Sequence, residues 1–178
     1  MRIIAGLARG LTLAVPRGDT TRPTSDRVRE AIFSSLGARV PGANVLDLFA
    51  GTGALGLEAL SRGAQSAVFV ENARTALDCL AKNLTDFKPA PAAKVVRGEV
   101  LRELARLTEP FHLIFADPPY GTDFKPILET VRQRNLLAAD GLFVLESAKR
   151  DAVVLPAEWR LHREAVYGDT RVSYVACG

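Results

Sequence analysis

Cysteine is scarce in this 178-residue chain: Cys79 and Cys177 are its two thiols. That is too few and too dispersed for a disulfide framework or a thiolate metal site, and no metal is expected. Cys79 falls within a helical pattern and reads as a buried thiol. No apolar run approaches the roughly 20 residues of a membrane span, and the first residues lack the layout of a secretory leader. Internal repeats and low-complexity tracts are absent as well. Together these absences point to a reduced, cytoplasmic setting with no membrane partner. The remaining composition, 48% hydrophobic and 24% charged, is that of a globular domain large enough for a substantial core.

Net charge is only +3, but it is unevenly placed. Residues 1–39 hold Arg2, Arg9, Arg17, Arg22, Arg27, Arg29 and Arg39 against Asp19, Asp26 and Glu30, a net of +4, while the rest carries −1. An arm rich in arginine and free of lysine suits phosphate or base recognition, because the guanidinium fork binds bidentately. A solvated surface is the plain alternative.

The order of elements is regular. Arg2–Gly6 and Leu11–Val15 read as two short strands joined by a glycine turn. A helix capped by Thr24 or Ser25 runs to Gly37, with Val28, Ile32 and Leu36 on one stripe. From Asn44, strands at Val45–Phe49, Ala67–Glu71, Lys94–Arg97, Leu113–Ala116 and Leu142–Glu146 alternate with helices to about Arg62, Asp86, Leu107 and Arg134. Trp159–Tyr167 and Thr170–Ala176 flank Gly168-Asp169 as an antiparallel hairpin, with Trp159 in its core. This pattern predicts an α/β fold with a doubly wound, mostly parallel sheet. A basic N-terminal hairpin-and-helix extension (residues 1–40) precedes a ligand-binding domain (residues 41–178).

Two motifs carry chemistry. Asp117-Pro118-Pro119-Tyr120 follows the buried strand directly, and the prolines end it because neither donates to a ladder. A carboxylate, rigid carbonyls and a ring at a strand's carboxyl end can grip an exocyclic amine while the ring stacks on the base. The second motif runs from Asp47 through Phe49, Gly51 and Gly53 to Gly56. Its glycines fit a dinucleotide fingerprint, with Glu71 ending the next strand twenty residues on. Taken alone, this supports a nicotinamide or flavin site as well as any other nucleotide site. Asp47 breaks the tie: a carboxylate there repels a pyrophosphate and attracts a cofactor bearing an amine and a sulfonium, S-adenosylmethionine. First and fourth strands adjoin at the switch point of such sheets, so both motifs are expected to face one crevice. Glu71 is expected to hold ribose hydroxyls and Glu99 and Val100 the adenine, with Asn72 also in the cofactor site, while Phe49 walls the pocket or packs under the Gly-rich loop. A helix N-terminal acid is the competing reading for Glu99.

These residues, with Arg2-Ile3-Ile4-Ala5-Gly6, Arg9-Gly10, the stretch Arg22-Pro23-Thr24-Ser25-Asp26-Arg27-Val28-Arg29-Glu30-Ala31-Ile32-Phe33 and the closing Tyr167-Gly168-Asp169-Thr170, resemble bacterial RsmD-type guanine-N2 methyltransferases of small-subunit ribosomal RNA. The resemblance spans nearly the whole chain. It implies a seven-stranded class I methyltransferase fold, S-adenosylmethionine as cofactor, and 16S ribosomal RNA in a small-subunit particle as partner. It also implies catalytic roles for Asp117, Pro118 and Tyr120, and substrate contacts by Arg22, Arg27 and Pro119. Leu7-Ala8 and Leu11 depart from the bulkier, more basic stretch usual in the family. A monomer is the default state.

The same site chemistry serves adenine in DNA or a protein glutamine, and the glycines alone also fit a nicotinamide-dependent oxidoreductase. A noncatalytic RNA-binding protein could retain the fold.

Overall fold

In chain order the elements are α1 (Pro23–Leu36), a 3-10 turn (Gly37–Arg39), β1 (Asn44–Leu48), α2 (Ala54–Ser61), β2 (Ser66–Glu71), α3 (Arg74–Asp86), β3 (Ala93–Arg97), α4 (Val100–Leu104), β4 (Phe111–Ala116), α5 (Lys125–Gln133), β5 (Leu137–Ala148), β6 (Trp159–Tyr167) and β7 (Thr170–Cys177). The computed structural model describes residues 1–16 and 23–178, so Arg22 lies outside the described residues. All seven strands form one sheet in the order β3-β2-β1-β4-β5-β7-β6. Pairing is parallel from β3 through β5, while β7 is antiparallel to both of its neighbours. The terminal hairpin thus joins the sheet through its second strand.

The strand period of two feeds two cores. β1 sends Val45 to one face and Leu46 and Leu48 to the other; β4 sends Leu113 and Phe115 one way, Ile114 and Ala116 the other. Parallel strands covered on both faces are apolar on both, which is why they read as nearly continuous hydrophobic runs. Leu57 of α2 and Leu80 of α3 cover the first face, and Leu104 of α4 with Ile127, Leu128 and Val131 of α5 cover the second. Trp159 is in the second core, its ring 6.1 Å from that of Phe143. No described helix is long and apolar enough to cross a membrane.

The N-terminal segment is knitted into the first core. Val28, Ile32 and Leu36 are buried as their spacing predicts, and Phe33 joins them, its ring 5.6 Å from that of Phe115. At about 1.5–3 kcal/mol per buried side chain, these four hold α1 to the sheet with roughly 6–12 kcal/mol before ordering costs. Residues 1–40 therefore share a core with residues 41–178.

The two short strands expected before α1 reduce to one antiparallel bridge, Arg2 to Thr12. Ile3, Gly10 and Leu13 still donate across the turn, to the Leu11, Ile3 and Met1 carbonyls, while other amides of the arm turn to α2. The amides of Ile4 and Ala5 donate to the Glu58 carboxylate (2.8 and 3.1 Å), Leu7 donates to the Ser61 carbonyl (2.7 Å), and Ala8 to the Ser61 hydroxyl (2.9 Å). Gly6 allows this approach: at φ +83°, a Cβ there would stand 1.8 Å from the Ser61 carbonyl oxygen. Glu58 is fully buried and also accepts from Arg62 Nε (2.8 Å), with Arg29 Nε at 3.5 Å. Arg29 is therefore a buried structural cation, binding the Arg2 carbonyl and Asp26 as well.

Three smaller differences stand. α4 ends at Leu104, short of Leu107, and β5 begins at Leu137, its pairing with β4 interrupted by a register shift between Phe111 and Leu113. Cys79 is half-buried, not enclosed.

Candidate active site

Parallel pairing of β1 with β4 aligns Leu48 with Ala116, so the next residues of each strand, Phe49 and Asp117, emerge together at the sheet's switch point. A cavity of about 1080 Å³ opens there. It is lined by Phe49, by Glu71, Asn72 and Ala73 beyond β2, and by the run from Asp117 to Thr122 beyond β4. Glu146, Ser147 and Ala148 of β5, the loop from Asp151 to Val153, the hairpin turn Gly168–Thr170, and Val28 of α1 complete most of its wall. The proline pair and the end of β1 thus face one space. Tyr120 is 63% exposed at this cavity. Phe49 turns the chain out of β1 at φ 58°, a left-handed conformation uncommon for an aromatic residue.

The Gly-rich loop is held from behind. Asp47 was expected to offer its charge to a cofactor, but it does not line the cavity; it is 2% exposed, and its Oδ2 accepts the Gly56 amide at 2.9 Å. Strand alternation explains this, since residue 47 shares the face of Val45, the side covered by α2. Gly53 begins α2 in a left-handed conformation, and a Cβ there would meet Leu80 at 2.4 Å. From the front, Glu71 Oε2 accepts the Gly51 amide (2.7 Å) while Oε1 accepts the amides of Asn72 and Ala73 (both 2.8 Å).

Carboxylates dominate the electrostatics. Burial pushes the Asp47 carboxyl up to about 8, against the lowering effect of the Gly56 amide, with Asp117 and Glu71 raising it further. Asp117 is exposed at the cavity, yet the protein packed around its carboxylate displaces enough water to raise it to about 6. Glu146 is raised well above the usual carboxylate range by burial, then by Asp117 and Asp47, while Arg29 acts in the opposite direction. The described lining of the cavity is therefore rich in acceptors and holds no Lys or Arg.

Other expected residues sit elsewhere. Gly51 and Gly53 form the loop without lining the cavity. Glu99 is exposed and Val100 is buried in the second core, at the β3–α4 junction where the Gly98 amide donates to the Glu71 carbonyl (3.0 Å). Glu99 precedes the first residue of α4, yet its side chain makes no capping hydrogen bond. Arg27 is exposed and lines a second pocket of about 350 Å³ with Arg2, Arg9, Asp26 and Glu30, among others. Sequence reasoning missed Glu146 and the loop from Asp151 to Val153. The signal for Glu146 was present, because it ends the strand read as Leu142–Glu146, at the sheet edge expected to face the ligand.

The comparisons agree with this architecture. The family model described as conserved hypothetical protein 95 matches residues 1–176. Ribosomal RNA small subunit methyltransferase D of Escherichia coli is 41% identical over 170 residues, covering 94% of this chain and 85% of that protein. The Haemophilus influenzae protein of the same name is 36% identical, covering 94% of this chain and 89% of its own. Among solved structures, yhhF from Escherichia coli superposes with a TM-score of 0.88 at 38% identity, covering 99% of this chain and 97% of that one. With the strand order, the switch-point cavity and these relatives in agreement, the chain belongs to the conserved hypothetical protein 95 family, the RsmD-type methyltransferases.

Proposed function

We propose that this enzyme transfers a methyl group from S-adenosylmethionine to the exocyclic N2 amine of a guanine in 16S ribosomal RNA, acting on a small-subunit particle in the cytoplasm. The observation that carries this reading is the cavity shared by Phe49, Glu71 and the Asp117–Tyr120 run. Its volume of about 1080 Å³ is at the upper end for small-molecule sites, in keeping with a nucleoside-sized cofactor beside a base. The donor set fits the cofactor. Carboxylates and carbonyls suit a ligand bearing an amine, a sulfonium and ribose hydroxyls, whereas a pyrophosphate would face Glu71, Asp117 and Glu146, with no cation among the described lining residues. This disfavours the nicotinamide alternative.

Glu71 is the residue for the ribose, with one of about four lone-pair positions left after its three amide contacts. Asn72 and Phe49 line the same region, and Gly51 and Gly53 shape the loop behind it. Glu99 and Val100 would reach the adenine from the end of β3. Asp47 supports the loop through Gly56. When bound, the cofactor supplies an electrophilic methyl whose leaving sulfur takes the electron pair.

Guanine N2 is a weak nucleophile because its lone pair is delocalised into the ring. Asp117 and the Pro118 carbonyl accept the two amino hydrogens and localise that pair on nitrogen. Tyr120 and Pro119 pack on the base once it has left its stack. The amine gains a methyl and loses a proton, and Asp117, held near 6, can take that proton. Most of the rate gain then comes from alignment. Exposed Arg27, with Arg2 and Arg9 beside it, supplies phosphate contacts.

Mass mapping of small-subunit RNA from cells lacking the gene tests the reading. One guanine should be short of a methyl group, and the purified enzyme with S-adenosylmethionine should restore it. An Asp117→Ala variant should bind S-adenosylhomocysteine normally and fail to restore it. A complete RNA methylation map in the deletion strain would refute the proposal.

A further inference from the structure

We propose that Glu146 is the residue that reads the target base as guanine, its carboxylate accepting the N1–H while Asp117 and the Pro118 carbonyl hold the adjacent 2-amino group. This rests on the guanine-N2 reading above.

The placement follows from register. β4 and β5 are parallel with Ala116 opposite Leu145, so Asp117 and Glu146 stand side by side one position beyond. Neighbouring strands are about 4.8 Å apart, so the two carboxylates come within reach of the same small ligand. Ala116 and Leu145 both belong to the second core, and alternation turns the following residues to the opposite face. Both acids line the cavity, with Val28 of α1 nearby.

Glu146 is also a charge without a structural task. It makes no side-chain hydrogen bond or ion pair among the described residues. Arg29, the cation that influences it, is engaged with the Arg2 carbonyl, Asp26 and Glu58. A half-buried carboxylate beside another, with no bonded partner among the described residues, costs stability unless a ligand supplies donors. Guanine supplies them: N1–H and the 2-amino group are adjacent donors on one edge, matching two adjacent acceptors. Adenine and cytosine present a ring lone pair beside their amino groups, which an ionised Glu146 repels. Without substrate, burial and the Asp117 charge favour the protonated form of Glu146, and the guanine N1–H offsets this by favouring the ionised carboxylate.

The test replaces the N1–H by a lone pair while keeping the amine. Small-subunit RNA is ligated with either guanine or 2-aminopurine at the position identified by mass mapping, and then assembled into particles. Wild type should methylate the guanine particle and strongly disfavour the 2-aminopurine particle. Glu146→Gln, whose amide can donate to the ring nitrogen, should slow guanine methylation by roughly 10- to 100-fold, the worth of a charge-assisted hydrogen bond. The guanine preference should fall at least tenfold, with S-adenosylhomocysteine affinity unchanged and a melting temperature no lower than that of wild type. Should the Gln variant fold poorly, Glu146→Ala makes the same comparison, because removing the acceptor also collapses the preference. An unchanged preference in a folded variant overturns the role of Glu146. Failure of wild type on the guanine particle would instead refute the parent reading.

Discussion

Asp47→Asn isolates the cost of keeping an acid beneath the Gly-rich loop. Burial raises the Asp47 carboxyl from its ordinary 3.8 to about 8, so the folded chain holds the proton more tightly than the unfolded chain. The resulting stability is fully present below pH 4 and is lost as the pH rises through 8. Each unit of pH in that window removes about 1.4 kcal/mol, so the wild type should lose roughly 3–4 kcal/mol from this group between about pH 5 and about pH 8. Asparagine has no such dependence, and its carbonyl can still accept the Gly56 amide. Its extra amino group adds a fixed cost of about 1–3 kcal/mol if it finds no acceptor, which cancels in a comparison across pH. Urea denaturation followed by the fluorescence of the single, buried Trp159 provides the assay. The difference, variant minus wild type, should grow by roughly 3–4 kcal/mol from the lower to the higher pH. Parallel pH curves would refute the placement of a proton-binding Asp47 in the folded state.

Three other outcomes are expected. Gly6→Ala forces a Cβ to within 1.8 Å of the Ser61 carbonyl oxygen, so the N-terminal arm should detach; a melting temperature within about 2 °C of wild type would contradict that contact. Glu58→Ala leaves Arg29 and the amides of Ile4 and Ala5 without their acceptor and should destabilise the protein by about 3–5 kcal/mol in urea titrations, the usual cost of breaking a buried pair. Methyl transfer should rise with pH through about 6, as Asp117 ionises and becomes an acceptor; single-turnover rates that are flat across that range would remove Asp117 from the proton inventory.

The sheet was readable because each of its central strands is an apolar run ending at a conspicuous turn. Val45–Phe49 leads into glycines, and Leu113–Ala116 runs into two prolines. The stripe Val28, Ile32 and Leu36 announced a helix with one buried face. The N-terminal arm was only partly readable: its segments do pair across the turn, but alternation and glycine turns say nothing of the amides that go to Glu58 and Ser61. Those partners lie 53 and 54 residues away in the chain.

The cavity shows the same division. Local sequence determined which carboxylates stand near strand ends, because prolines and glycines terminate strands wherever they occur. Only tertiary packing decided which of them meet the ligand space: α2 covers the face bearing Asp47 and closes it over Gly56, while pairing of β4 with β5 sets Glu146 beside Asp117. A side chain's chemistry is local, but its access to solvent or substrate depends on which distant helix lies over it.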